Sequence, residues 1–254
     1  MNQVLSSEQL KACRSSFFQS KLKYLQGASI LNINDIDKTL CRTYSVKKGD
    51  FLYQDGMVCK ALYIIRSGSV KSTKLNTTGL VQVVGFHLVG ELIGFDGFAT
   101  GYHDGAAQFL ESSSVSELPL DVIDSSCKTA PTLQQKILKS MSLEINRNHE
   151  LSLLLARMVG EEKLATFLLD YSSRMKQHNW KESEFNLNMA RYDIASYLGL
   201  AVETTSRLFK QFHNRGLISV DGRHVKIIDM ENLKRIVDVS CETDETGGLH
   251  VYRI

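Results

Sequence analysis

The chain has 254 residues, 43% of them hydrophobic and 23% charged, with a formal net charge of +2. That length suits one large domain or two of moderate size, and the near balance of charge excludes a polybasic chain, so any nucleic-acid affinity must come from a local surface. Apolar runs are short, residues 151–156 being an example; none approaches the roughly 18 residues of a membrane span, and no basic segment with a following apolar core opens the chain.

Residues 1–40 form a polar segment with scattered apolar positions. Between residues 41 and 125 lie ten glycines, separated by short runs rich in Val, Ile, Phe and Tyr. Leu62-Tyr63-Ile64-Ile65 is closed by Ser67-Gly68, and Val81-Gln82-Val83-Val84 by Gly85. Short strands punctuated by glycine turns predict a small antiparallel barrel or sandwich over 41–130.

From Pro131 the pattern changes. Apolar residues recur at Ile137, Met141, Ile145, Leu151, Leu155 and Met158 or Val159, which predicts one stripe of a long helix over 131–160. Beside a small barrel, such a helix needs a partner along its length, and a symmetric dimer seam supplies one. Asn148 falls near that stripe. A neutral amide there can pair with its symmetry mate, whereas an Asp would place two like charges in a poorly hydrated seam.

Residues 161–238 carry the most informative stretch. Ile194, Leu198, Leu200 and Leu208 sit where two short crossed helices need apolar contacts, Ala195 is small at their approach, and Gly199 frees the turn. Asn214-Arg215-Gly216 then reads as a helix stop. Residues 217–220 and 224–228 read as a hairpin around Asp221-Gly222, and Asp229 as the cap of a last helix carrying Leu233, Ile236 and Val237. Together these predict a winged helix-turn-helix. Its second helix exposes Glu203, Thr204, Ser206 and Arg207 early, where side chains reach base edges in the major groove. Arg207 can donate twice to guanine O6 and N7, Glu203 can accept from cytosine N4, and Ser206 can meet a base edge or a thymine methyl. The alternative is a solvated Glu203–Arg207 ion pair at i,i+4. Between residues 174 and 226, nine basic residues face five acidic ones. Thr204, Lys210, Arg215 and Arg223 are the phosphate candidates. Residues 239–254 form a tail that is polar until its end.

The five cysteines, Cys13, Cys41, Cys59, Cys127 and Cys241, are scattered and odd in number. That argues against a disulfide framework and fits a reducing cytoplasm. No C-x-x-C, H-E-x-x-H, phosphate-loop or G-x-S-x-G signature occurs, and no nucleophile–base–orienter set is apparent, so the chain does not read as an enzyme.

The order of a Gly-rich barrel, a long helix and a winged helix resembles the superfamily of the cyclic-AMP receptor protein and the fumarate–nitrate reduction regulator (CRP/FNR), and most closely its FNR type. Residues 62–68, Gly85-Phe86-His87-Leu88, residues 90–96 and residues 198–208 carry the likeness. The resemblance implies an α+β fold with a cyclic-nucleotide-binding-like β-roll, a dimerisation helix and a winged helix. It implies a homodimer on double-stranded DNA of TTGAT-N4-ATCAA type, because Glu203, Ser206 and Arg207 match the family's Glu-x-x-Ser-Arg and Val202 replaces the Arg of cyclic-AMP-type readers. It also implies contact with RNA polymerase, as an activator at some promoters and a blocker at others.

Three departures qualify the resemblance. FNR-type [4Fe–4S] ligation needs four thiolates, but the N-terminal zone holds only Cys13, and Ser116 stands at the barrel position. Glu91 of Gly90-Glu91-Leu92 matches the nucleotide-binding Glu, but His103-Asp104 replaces the Arg-Ser pair that holds the cyclic phosphate of cyclic AMP. His87, a haem candidate, lies in a stretch shared with FNR and reads as structural. The expectation is an effector-independent regulator with no cofactor and no metal. The alternatives are gating by haem or another small molecule in the roll, or by oxidation of Cys41, Cys59 or Cys127.

Overall fold

The computed structural model describes residues 41–76, 79–129 and 131–239. Residues 1–40 and the tail from 240 lie outside these, and with them Cys13 and Cys241. Eight strands build the first part: β1 (Arg42–Val46), β2 (Phe51–Tyr53), β3 (Ala61–Ser67), β4 (Val70–Leu75), β5 (Val81–His87), β6 (Leu92–Ile93), β7 (Ala106–Phe109) and β8 (Ser113–Pro119). They form two four-stranded sheets, ordered β1-β8-β3-β6 and β2-β7-β4-β5, with every pairing antiparallel. The glycine-punctuated runs thus become a β-roll.

Strand β3 shows why its sequence is almost uniformly apolar. Successive side chains of a strand point to opposite faces. Leu62 and Ile64 pack outward with Ile123, Leu133 and Ile137. Tyr63 and Ile65 pack between the sheets with Val70, Ala107 and Phe109. Both faces are covered, so neither can be polar. At the end of β3, Gly68 takes φ +83°, and a Cβ there would overlap the Ser113 side chain.

The outer cover is helical. Helix α1 (Leu120–Thr129) follows β8 directly, and α2 (Pro131–Arg157) starts with Pro at its first position, where the missing N–H costs nothing. The sequence pattern does not announce α1; its few apolar residues are too short a run to show a period. Helix α2 is 27 residues long, about 40 Å at 1.5 Å per residue. It ends at Met158-Val159, a two-residue break before α3 (Gly160–Gln177).

Helix α2 corrects the expectation of a single apolar stripe. Ile137 is buried against the roll, and Leu151 and Met158 pack into the chain's own core beside buried Leu154. These three belong to the inward face. A second face, spaced three and four residues, carries Leu138 (56% exposed), Met141, Ile145 (52%), Asn148, Ser152, Leu155 (39%) and Val159 (64%). Met141 also touches the roll cluster. The open face is the heptad one, and it omits Ile137, Leu151 and Met158.

After α3 come β9 (Glu184–Asn186), α4 (Arg191–Leu198), α5 (Val202–Asn214), β10 (Ile218–Asp221), β11 (His224–Ile227) and α6 (Met230–Val239). The short sheet runs β10-β11-β9. The hairpin is the expected one, while β9 adds a strand the sequence reading lacked. Asp229 accepts from the Asn232 N–H at 2.9 Å and so caps α6. Leu164, Leu168, Ile194, Leu198, Phe212 and Leu233 form the core of this part, and Val83, Phe86, Leu88 and Leu110 of the roll belong to the same cluster.

Candidate nucleic-acid interface

Helices α4 and α5 are joined by Gly199, Leu200 and Ala201. Gly199 adopts φ +59°, the left-handed region that suits glycine, and the Leu200 N–H returns to the Ala195 carbonyl at 2.9 Å. A Cβ on Gly199 would come 3.0 Å from Leu155 Cδ2. The turn is therefore seated against the end of α2. Arg191 lays its guanidinium 3.6 Å from the Phe209 ring centroid, tying α4 to α5 by a cation–π contact.

Helix α5 has two distinct faces. Thr205, Leu208, Phe209 and Phe212 are buried. Glu203, Ser206, Arg207 and Lys210 are exposed, and Thr204 is half-buried. The three expected base readers therefore stand together on one open face. No Glu203–Arg207 ion pair forms, and Arg207 has no ion-pair partner among the described residues. The N-cap position holds Ala201 without a side-chain cap, so the first backbone N–H groups of α5 stay available to an anion.

The basic excess counted in the sequence divides sharply. Arg174 is buried on Glu91, Lys176 pairs with Glu182, Lys181 with Glu184, and Arg191 stacks on Phe209. Arg215 Nη1 lies 2.8 Å from Glu161, whose other oxygen accepts from Gln211 Nε2 at 2.6 Å. Arg215 thus braces α5 against α3. Arg207, Lys210, Arg223 and Lys226 remain exposed and, among the described residues, without an ion pair.

The helix-turn-helix is also clamped to the roll. The Asp193 carboxylate caps α4 through the Ala190 N–H at 3.2 Å and receives Lys71 Nζ at 2.6 Å. Ser196 Oγ accepts from the Val83 N–H at 2.9 Å, and Gln82 donates to the Ser196 carbonyl. Phe86 packs its ring against Phe167 and Tyr197.

Glu91, the residue that matches the nucleotide-binding Glu, has other partners. It sits on the turn between β5 and β6, where Oε1 accepts from Arg147 Nη2 at 2.9 Å and from Arg174 Nη2 at 3.0 Å. The Leu88 N–H reaches its Oε2 at 3.2 Å. Burial alone would raise its pKa, but the Arg147 and Arg174 guanidinium groups outweigh that and hold it at about 2. The Arg-Ser place of the nucleotide pocket is filled as well. His103 is buried, stacks on Tyr53 at 3.7 Å and places Nδ1 3.2 Å from Asp96. Asp104 pairs with Lys74.

Donor chemistry tests two groups the resemblance raises. Among the described residues no set of four thiolates is gathered. Ser116 at the barrel position is a hydroxyl already bonded to Thr43 Oγ1 and Arg66 Nε, both at 2.6 Å, and among the described side chains the cysteines are Cys41 and Cys59. Haem does not fit beside His87. Its Nε2 pairs with Ser72 Oγ at 2.9 Å, its unpartnered Nδ1 lies 3.9 Å from Glu91, and the adjoining cavity is about 60 Å³. Cofactor pockets are usually on the order of 300–1,000 Å³. Arg147, Arg174, Lys71, Asp193 and Glu161 were not singled out from sequence as site residues. A charge that is buried and paired looks no different in sequence from one that is solvated.

Comparison with known proteins agrees with this geometry. Residues 162–236 match the Crp-like helix-turn-helix domain, and residues 43–130 match the cyclic nucleotide-binding domain. The chain is 40% identical over 206 residues to Electron transport regulator A of Shewanella oneidensis, covering 80% of this chain and 82% of that protein. It is 38% identical over 204 residues to the Fumarate and nitrate reduction regulatory protein of Escherichia coli K12, with 80% and 82% covered. The solved structure of FixK2 from Bradyrhizobium japonicum superposes with a TM-score of 0.69 at 27% identity, covering 77% of this chain and 96% of that one. Both curated relatives are named as regulators.

Proposed function

Because the chain belongs to the CRP/FNR family of transcription regulators and is of FNR type, we propose that it works as a homodimer reading a TTGAT-N4-ATCAA-like palindrome through Glu203, Ser206 and Arg207. The observation that carries this reading is the open face of α5, where those three side chains stand clear of the protein and Arg207 is uncommitted. In the major groove Arg207 donates to guanine O6 and N7, Glu203 accepts from cytosine N4, and Ser206 meets the neighbouring edge. Thr204, Lys210 and Arg223 meet phosphates, with the uncapped start of α5. Arg215, bound to Glu161, contributes by bracing α5 instead.

The dimer seam is the open heptad face of α2, with Leu138, Met141, Ile145, Asn148 and Leu155 meeting their symmetry mates. Binding needs no cluster, haem or cyclic nucleotide. Glu91 and His103 are engaged within the chain, and Ser116 is no thiolate. Control is then by abundance, in a cytoplasmic protein whose roll and flanking loops meet RNA polymerase. Arg207→Ala tests the base-reading role. The loss on the palindrome should be about 1–3 kcal/mol, with relaxed choice at the guanine and little change on random DNA. Equal losses on both duplexes in a fluorescence anisotropy titration would make Arg207 a phosphate contact.

A further inference from the structure

We propose that Glu91, Arg147 and Arg174 form a spacing hub, a largely buried ion cluster that sets how the two recognition helices of a dimer stand relative to each other and so selects the half-site separation. The inference rests on the dimeric DNA-reading function proposed above.

The three residues come from three bodies that must keep register. Glu91 belongs to the roll. Arg147 lies on α2, whose open face is the proposed seam. Arg174 lies on α3, which leads into the helix-turn-helix. Their contacts are dense: Arg174 donates to Glu91 through Nη2 at 3.0 Å and Nε at 3.2 Å, and to the Phe86 carbonyl at 2.6 Å. Arg147 closes the other side at 2.9 Å. Asp170, 3.5 Å from Arg174 Nη1, balances the second guanidinium. The Arg174 side chain is 6% exposed and that of Glu91 11%. A planar guanidinium fork fixes direction as well as distance, so the cluster resists rotation as well as separation.

The need for such a device is visible in the chain path. Between seam and reading head the helices are interrupted at Met158-Val159, a joint of two residues. A joint alone leaves the swivel of the reading head undetermined. Each base pair added between half-sites moves the second one by about 3.4 Å and turns it by about 35°. Rejecting a wrong spacer therefore requires stiffness about the helix axis, and the hub spans the joint from both sides. Lys71–Asp193 and the Val83–Ser196 bond land directly on α4 and steady the same unit from the roll.

The test titrates the full chain onto duplexes with identical TTGAT half-sites separated by three, four, five or six base pairs, and onto a single half-site. The wild type should favour one spacer by about tenfold or more. Glu91→Gln should flatten that preference several-fold while single-half-site affinity stays within about twofold. Arg147→Gln removes none of the Glu91–Arg174 hydrogen bonds, and should flatten the preference in the same direction. Unchanged spacer preference in the folded Arg147→Gln protein, or an equal fall on every duplex including the single half-site, would overturn the proposal. If the wild type shows no preference for TTGAT over scrambled DNA, the functional reading fails on its own. Calorimetry then decides the hub: one unfolding transition in wild type and two in Arg147→Gln support coupling, and one transition in both overturns it.

Discussion

Arg215 and Arg207 show how much a single contact decides. Both sit on or just beyond α5, both are Arg, and sequence alone ranks them by position only. Glu161 takes Arg215 at 2.8 Å and leaves Arg207 open. Glu161→Ala should therefore release Arg215 toward the DNA backbone. The salt dependence of binding should steepen by about one phosphate contact per protomer, read from the slope of log affinity against log salt; an unchanged slope would mean that Arg215 cannot reach DNA. The shared exposure of Glu203, Ser206 and Arg207 was legible because exposed positions of a helix start follow from its period. The pairing of Arg174 with Glu91, across 83 positions of chain, was not, since no local pattern encodes a long-range ion pair.

At the scale of the element, α2 carries two apolar faces whose mean directions lie about 90° apart at 3.6 residues per turn and which adjoin along their edges. Steps of three and four residues occur on both, so Ile137, Ile145, Leu151 and Leu155 read as one stripe until packing separates them. Ile137, Leu151 and Met158 then belong to the inside, and Leu138 joins the open face. Asn148 lies on that open face. Asn148→Asp should weaken dimerisation, because two carboxylates would meet across a poorly hydrated seam. Sedimentation velocity over a concentration series should show the monomer fraction rising; an unchanged dimer would remove Asn148 from the seam. The strands, the winged hairpin and the Asp229 cap were legible because turn glycines and caps act locally. Helix α1 and strand β9 were not, because each is stabilised by what it packs on rather than by its own period.

The whole molecule is held as one body by a core that runs from Phe86 of the roll to Phe167 and Tyr197, with the Glu91 cluster at its edge. This arrangement makes stability sensitive to acid. Glu91 is held at about 2, below its ordinary 4.5, so its contribution is complete above about pH 4.5 and is lost as pH falls toward 2. Burial lowers the His87 pKa from its ordinary 6.5, so the unfolded chain takes up that proton first and stability also declines below about pH 6.5. Thermal midpoints should fall from pH 7 to pH 4, and less so in a His87→Gln protein; a flat profile would contradict the burial of His87.

This CRP/FNR chain, with Ser116 where the FNR-type cluster has a cysteine, is expected to read an FNR-type palindrome on its own. Fluorescence anisotropy in air, with metal-free protein titrated onto TTGAT-N4-ATCAA and onto a scrambled duplex near physiological salt, tests it most directly. Tight binding to the palindrome with weak binding to the scrambled duplex is the predicted result. Equally weak binding to both would contradict it and require an effector.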